Sequence, residues 1–139
     1  MPEPSLKKLQ CLIVTPETTM LDRAVDFVAL PLYDGELGVL PGRAPLVARL
    51  GYGELRATAG NSTARFYIDG GFLQVHNNIV SVLTRRAVPA DQIDVAAARS
   101  ELESASHEVP TTPEGFEAKT ISLARARAQL ALARKAGKA

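Results

Sequence analysis

The sequence predicts an α+β protein whose larger, N-terminal part is an antiparallel β-sandwich or barrel and whose C-terminal part is an αα-hairpin. Up to residue 88, short apolar runs bounded by turn residues recur about every ten residues, which is typical of such all-β domains. After Pro89, glycine becomes rare and alanine, glutamate and arginine dominate, which favours helices. We therefore expect a β-domain over residues 1–88 and a helical hairpin over residues 89–139.

Seven strands are predicted in the first domain, because their residues are apolar, β-branched or alternating and their ends carry turn residues. They are residues 9–14, 25–30, 46–50, 53–58, 65–69, 71–75 and 79–83. The segment 34–45 is predicted to be a connecting loop, since it holds three glycines and two prolines in twelve residues. Proline fixes φ and glycine permits positive φ, so this loop can hold one shape at low entropic cost.

Two helices, at about 91–108 and 112–136, are predicted in the second domain. Asp91 is the expected N-cap of the first, with Asp94 in its first turn. One apolar stripe recurs at spacings of three and four residues along this helix: Val95, Ala98, Leu102, Ala105 and Val109.

The start of the second helix is predicted from an N-cap threonine, a proline and an early carboxylate, namely Thr112, Pro113 and Glu114. Its apolar positions are mostly alanine, which buries little area per residue. The short connection makes the two helices a hairpin that we expect to be weakly held.

The two predicted helices carry opposite charges. Residues 89–110 hold one basic and five acidic residues, net −4, whereas residues 111–139 hold six basic and two acidic residues, net +4. Two interpretations stay open. The charged residues either form two solvated helix faces, or they allow the basic helix to leave its acidic neighbour and pair with an acidic partner elsewhere. Exposed ion pairs contribute only about 0.2–1 kcal/mol each, so such an exchange is energetically accessible.

Catalytic and metal-binding patterns are not found in the sequence. His76 and His107 lie in different domains without nearby cysteine or paired carboxylates, so no zinc site is predicted. No GxxxxGK[ST] phosphate loop occurs, and Cys11 in an apolar strand is expected to be buried and inert. We expect a soluble protein without a signal peptide, since no apolar stretch approaches the roughly 20 residues of a membrane span.

Residues 34–45 resemble the EGELGxxPGHAPL signature of the epsilon subunits of F-type ATP synthases, which are called delta in mitochondria. Residues 66–75 resemble the FxxxGGFxEV segment of that family, and the resemblance extends over nearly the whole chain. It implies a non-catalytic rotor subunit of a proton-translocating complex that makes ATP. The β-sandwich would bind the gamma subunit and rest on the membrane c-ring. The complex would place the chain peripherally at the cytoplasmic face of a bacterial membrane.

The resemblance also implies docking residues. The family's acidic residue that meets the c-ring maps onto Glu36, with Asp34 close by. The gamma contact maps onto Leu40, Pro41 and Arg43. Arg43 stands where the family has a histidine, so the positive charge is kept but the titratable side chain is lost.

In this family the C-terminal hairpin can fold beside the sandwich or extend along gamma to the catalytic head, where it inhibits ATP hydrolysis. The regulatory face is expected on the basic second helix, at Arg125, Arg127, Arg134 and Lys135.

Some family members bind ATP through an I/L-D-x-x-R-A motif in the hairpin, and here Ile93 and Asp94 match its start, while Arg134 matches a basic position of the second helix. Ala97 stands where the motif has arginine, which removes a bidentate phosphate donor. We predict weak or absent ATP binding and no cofactor.

A competing interpretation is a free-standing ligand-binding β-sandwich with a helical dimerisation hairpin. Its distinguishing feature would be a concave polar pocket between the sheets. An enzyme would need a set of catalytic residues that the sequence does not supply.

Overall fold

A computed structural model describes residues 8–137 of the chain, so residues 1–7 and 138–139 of the two predicted domains lie outside the described part. The chain forms two compact units, Met1–Ala87 and Val88–Ala139. The strands are β1 (Leu9–Val14), β2 (Thr19–Val25), β3 (Phe27–Leu32), β4 (Gly35–Val39), β5 (Leu46–Ala59), β6 (Ser62–His76), β7 (Ile79–Leu83) and β8 (Ala87–Pro89). The predicted fold class is confirmed: a mainly antiparallel sandwich is followed by two helices.

Hydrogen bonding joins the first seven strands in the order β2-β1-β7-β6-β5-β3-β4. The β1–β7 pair is parallel, and the other neighbours in this order are antiparallel. The long strands β5 and β6 belong to both halves of the sandwich. Their segments 46–50 and 71–75 pair with each other next to β7, and their segments 52–59 and 62–69 pair on the side of β3.

Glycines let these long strands change direction without ending. Gly70 and Gly71 have φ of 72° and 110°, values that residues with a side chain rarely adopt. The prediction of separate strands at 65–69 and 71–75, and at 46–50 and 53–58, was therefore wrong. Pairing between β5 and β6 resumes on both sides of the bend, so each pair of predicted strands is one continuous strand.

The segment 34–45 was predicted to be a loop throughout, yet residues Gly35–Val39 form strand β4. Antiparallel pairing with β3 overrides the turn propensity of its glycines, and Val39 is fully buried in the core. The prediction also missed β2, an edge strand in which only Leu21 and Val25 are buried. It placed β3 two residues too early, at 25–30.

One apolar core fills the sandwich, with side chains from both halves. Its fully buried members include Leu9, Ile13, Leu30, Leu55, Ile68 and Leu73. Cys11 is also fully buried, and desolvation raises the pKa of its thiol to about 12. The prediction of a buried free cysteine is confirmed.

The second unit holds a 3₁₀ turn (Ala90–Gln92) and the helices α1 (Val95–His107) and α2 (Pro113–Lys135). The N-cap of α1 is Asp94, which accepts a hydrogen bond from the Ala97 amide at 3.0 Å. The prediction that Asp91 is the cap was wrong, because extended backbone at Ile93 and Asp94 separates the 3₁₀ turn from α1. Among the described residues, none of the helices is long and apolar enough to cross a membrane.

Helix α2 begins as predicted, with Thr112 Oγ1 accepting a hydrogen bond from the Gly115 amide at 3.0 Å and Pro113 in the first turn. Most of the buried positions in the two helices are alanines, namely Ala98, Ala105, Ala126 and Ala133, and the larger buried residues are Gln129 and Leu132. Val109, the last member of the predicted stripe, follows the end of α1 and is 86% exposed.

Candidate docking site

Strand β4 places the predicted c-ring contacts at one end of the sandwich. Asp34 lies in the two-residue turn between β3 and β4, and Glu36 follows on β4 opposite Pro31. Both acidic residues are exposed, and the Glu36 side chain retains 60% of its accessible surface. The hairpin between β3 and β4 thus exposes two carboxylates to solvent.

Glu36 is connected to the sheet by a chain of charged side chains. Arg56 Nη1 lies 3.7 Å from Glu36 Oε2 and 3.2 Å from Glu54 Oε1. Arg65 Nη1 lies 2.7 Å from the other oxygen of Glu54, whose side chain is only 10% exposed. Two arginines therefore surround a largely buried carboxylate, and one of them reaches out to Glu36.

The predicted gamma-contact loop follows the other end of β4. Leu40 is 61% exposed, and the Arg43 amide donates to the Leu40 carbonyl at 3.3 Å, which closes a tight turn. At about 3.3 Å per residue, the five-residue strand separates this loop from the Glu36 hairpin by roughly 16 Å. The structure therefore places the predicted c-ring residues and the predicted gamma residues at opposite ends of β4.

Asn78 fixes the position of this loop. Its Oδ1 accepts a hydrogen bond from the Gly42 amide at 2.8 Å, and its main-chain carbonyl accepts one from the Gln10 amide at 2.8 Å. Asn77 and Asn78 both have positive φ, 50° and 62°, so they form the tight turn between β6 and β7. Through its side chain and its main-chain carbonyl, Asn78 thus joins the loop, this turn and β1.

An exposed apolar surface, not predicted from the sequence, lies on β5, β6 and β7. We call it the apolar face and define it by Val47, Phe72, Ile79 and Leu83, which are 72%, 59%, 44% and 52% exposed. Phe72 lies directly opposite Leu83 in the ladder between β6 and β7. The signal was present in the sequence: Phe72 and Leu73 are adjacent in a strand, so one of two large apolar side chains must point away from the core.

The predicted nucleotide residues lie just before α1 and near the end of α2. Ile93 is buried, Asp94 caps α1 and Arg134 is exposed in the last turn of α2. A cavity of about 370 Å³ between the helices is lined by Ala97, Ser100, Glu101, Ser104, Ala105, Glu108 and Ser122. Its only charged lining groups are two carboxylates, which repel phosphate.

The predicted regulatory face has a mixed environment. Arg127, Arg134 and Lys135 are exposed on α2, whereas Arg125 is half-buried and lies 3.4 Å from Glu101 of α1. The acidic and basic helices therefore pair directly within the hairpin. In the described part of the chain, no three His, Cys, Asp or Glu residues are grouped as a metal site would require.

The chain is similar to known proteins in both sequence and fold. Residues 8–90 match the model of the family described as ATP synthase, Delta/Epsilon chain, beta-sandwich domain. An ATP synthase epsilon chain of Rhodopirellula baltica is 48% identical over 126 residues, which cover 91% of this chain and 98% of that protein.

Two solved structures share the fold. One chain is from the mitochondrial ATP synthase of Euglena gracilis, in a structure of OSCP, F1 and c-ring, with a TM-score of 0.77 and 24% identity over 99% of this chain and 89% of that one. The other is from the central stalk and c-ring of the Tetrahymena thermophila mitochondrial ATP synthase, with a TM-score of 0.69 and 16% identity over 91% of this chain and 97% of that one.

Proposed function

From the premise that the chain belongs to the ATP synthase delta/epsilon family, we propose that it links the gamma subunit to the c-ring in the rotor of a proton-translocating F-type ATP synthase. It is a non-catalytic stalk subunit of a complex that makes ATP. The competing interpretation, a free-standing ligand-binding sandwich, called for a polar pocket between the sheets. The space between the sheets is instead occupied by the apolar core.

The observation that carries the proposed function is the apolar face. Side chains as large as Phe72 and Leu83 at more than half exposure are costly in water and are typical of a surface that a partner covers. The face also adjoins the Asn78 turn, because Ile79 is the next residue and the turn holds the loop with Leu40. We propose that the apolar face and this loop together contact gamma, with Leu40, Pro41 and Arg43 at one border.

Copurification tests this assignment. The wild-type chain is expected to copurify with gamma and the catalytic subunits, and Phe72→Ser should weaken that association. Phe116→Ser is a matched control, since Phe116 is 60% exposed but lies on α2. A monomeric chain without partners in native extracts would contradict the proposed function.

For the c-ring contact we propose the hairpin with Asp34 and Glu36. The support is their joint exposure at the tip of one β-hairpin and the anchoring of Glu36 by Arg56. Glu36→Gln is expected to reduce proton-driven ATP synthesis in reconstituted vesicles, whereas Asp22→Asn on the edge strand β2 should leave it unchanged. Equal rates for the two variants would remove Glu36 from the c-ring contact.

For the αα-hairpin we propose that it inhibits ATP hydrolysis, through contacts of the basic α2 with acidic segments of the catalytic head. The support is the net charge of +4 after residue 110 and an interface whose buried residues are mostly alanines, which bury little area each, with Gln129 and Leu132 as the larger members. Deleting residues 90–139 should raise ATP hydrolysis while assembly persists. Unchanged hydrolysis would exclude the braking role without affecting the stalk assignment.

The proposed location follows from the proposed partners. A subunit held between gamma and the c-ring lies at the membrane surface, and the similar epsilon chain from Rhodopirellula baltica supports the cytoplasmic face of a bacterial membrane. We propose that this chain needs no cofactor of its own, in keeping with the carboxylate-lined cavity of the hairpin.

A further inference from the structure

We infer that the apolar face selects a partner segment that carries acidic side chains opposite Arg49 and Arg85, which lie close to Phe72. The inference rests on the proposed gamma contact and adds the chemistry by which gamma is recognised. Both arginines line one shallow depression of about 430 Å³, together with Tyr52, Asp69, Gly70, Gly71 and Phe72.

Arg49 is held in place at the edge of Phe72. The two residues lie opposite each other in the ladder between β5 and β6. The Arg49 guanidinium lies 4.0 Å from the centroid of the Tyr33 ring, a cation–π contact that restricts its rotamers. The Arg49 carbonyl accepts the Tyr33 amide at 2.9 Å, which fixes the distance between the two backbones. The side chain is exposed, so its N–H donors remain accessible to a carboxylate.

Arg85 is held by a different contact. Its Nη2 lies 3.2 Å from Asp69 Oδ2, and the Asp69 side chain is 2% exposed while that of Arg85 is 73% exposed. Asp69 Oδ1 accepts the hydroxyl hydrogen of Tyr67 at 2.7 Å. One edge of the guanidinium is thus bound to a buried anion, and the rest of the group faces solvent. A fork fixed in this way can bind a second carboxylate with little loss of entropy.

Among the residues that line the first depression, Arg49 and Arg85 are cationic and Asp69 is anionic, which leaves a net charge of +1. The Asp69 carboxylate is buried and already paired with Arg85, so it does not offset Arg49. On the same face of the sandwich, Asp22 belongs to the edge strand β2 and accepts a hydrogen bond from Gln10. A second depression of about 410 Å³ shares Gly71, Phe72 and Arg85 with the first, and its mostly apolar walls include Val14, Pro16 and Leu83.

These features fit one kind of occupant: a gamma segment with an apolar side chain beside Phe72 and carboxylates within reach of Arg49 and Arg85. Complementary charge at the border of an apolar contact mainly sets which partner binds and how fast it associates. A gamma subunit with basic residues at these positions would be rejected.

The test uses the full-length chain and the purified gamma subunit of the same complex, with binding measured by biolayer interferometry between about 50 and 500 mM NaCl. Arg49→Glu is expected to weaken binding about tenfold to a hundredfold and to reverse its salt dependence, because like charges then face each other. Arg49→Lys keeps the charge and should stay within about threefold of wild type. Arg23→Glu, an equal change of charge on β2, is the control and should bind as wild type does.

The outcomes separate this inference from the proposed function. If the wild-type chain does not bind gamma at any salt concentration, the proposed function fails. If it binds and Arg49→Glu binds equally well, only the acidic-partner inference is overturned. Thermal unfolding of each variant accompanies the binding data, and Arg85→Lys provides a second measurement that leaves Asp69 with a cationic neighbour. Binding of Arg85→Lys is expected to decline by severalfold, since lysine cannot bind two carboxylates as a planar fork.

Discussion

Replacing Gly71 of β6 by alanine should destabilise the sandwich more than the same replacement at the other glycines with positive φ. A Cβ at this position would lie 2.0 Å from the Leu83 carbonyl oxygen and 2.9 Å from Thr84 Cα. Ordinary carbon–oxygen contacts are about 3.3–3.6 Å, so the backbones of β6 and β7 must separate by more than roughly 1 Å. The new side chain also has to adopt a φ of 110°.

The magnitude follows from two contributions. Holding a residue with a Cβ in a positive-φ conformation costs about 1–2 kcal/mol. Separating the strands beside Phe72 and Leu83 weakens one or two ladder hydrogen bonds at about 1 kcal/mol each. Together they lower the free energy of unfolding by about 3 kcal/mol and the melting temperature by roughly 10 °C.

Gly60→Ala is the matched control. Gly60 also has positive φ, 59°, but a Cβ there would meet nothing within 4 Å, so only the conformational cost of about 1–2 kcal/mol applies. Urea unfolding of the full-length variants, followed by circular dichroism at the β-sheet band, measures the difference. Equal midpoints for Gly71→Ala and Gly60→Ala would refute the close-approach argument.

Three further predictions concern positions described above. Asn78→Gly keeps the positive φ but removes the acceptor for the Gly42 amide, so it should weaken gamma binding about fivefold to tenfold, the equivalent of roughly 1 kcal/mol. Asn78→Asp retains the acceptor and should bind gamma as wild type does. Equal losses for both variants would show that the hydrogen bond from the Gly42 amide does not support binding. Cys11 should resist alkylation by iodoacetamide at pH 8 in the native state and react once unfolded, because burial raises its pKa to about 12. Stoichiometric native labelling would contradict this. Isothermal calorimetry of the full chain should detect no submillimolar ATP binding; introducing arginine by Ala97→Arg is the informative comparison, and tight wild-type binding would refute the argument from the carboxylate-lined cavity.

The sequence predicted elements whose signals are local. Thr112 and Pro113 mark the start of α2 through side-chain capping and a fixed φ, which need no tertiary context. The core strands β1 and β7 were likewise found, since both are short, mostly apolar segments, interrupted only by Gln10 and Ser81. Strand β2 was missed because it is an edge strand with mostly exposed residues, so it carries little hydrophobic pattern.

Non-local pairing decided the elements that sequence patterns misassigned. From the sequence, Gly70 and Gly71 predict a break between two strands. In the structure, β6 pairs with β5 on both sides of Gly70. The same applies to Gly35–Val39, which is a strand because β3 supplies its hydrogen bonds.

The proposed docking residues were predicted only in part. Glu36 and the loop with Leu40 belong to a recognisable motif, and both are exposed in the structure. The apolar face could not be read as one surface, because Val47, Phe72 and Leu83 come from three strands whose alignment depends on pairing register. The arrangement of Arg49 on Tyr33 depends on the same long-range geometry.

The two long strands have a mechanical consequence for a subunit held between two moving partners. The proposed gamma face lies on the half of the sandwich with β7, and the Glu36 hairpin lies on the half with β4. In the strand order, β5 and β6 connect these halves, so a force between the two sites is transmitted through these two strands. These strands are joined by 13 residue pairs, from Leu46↔Val75 to Ala59↔Ser62. A force applied along such a ladder loads its hydrogen bonds in parallel, so they must fail together instead of opening one by one. Force between the two proposed contact sites is therefore carried along two continuous strands that are held together by the whole ladder.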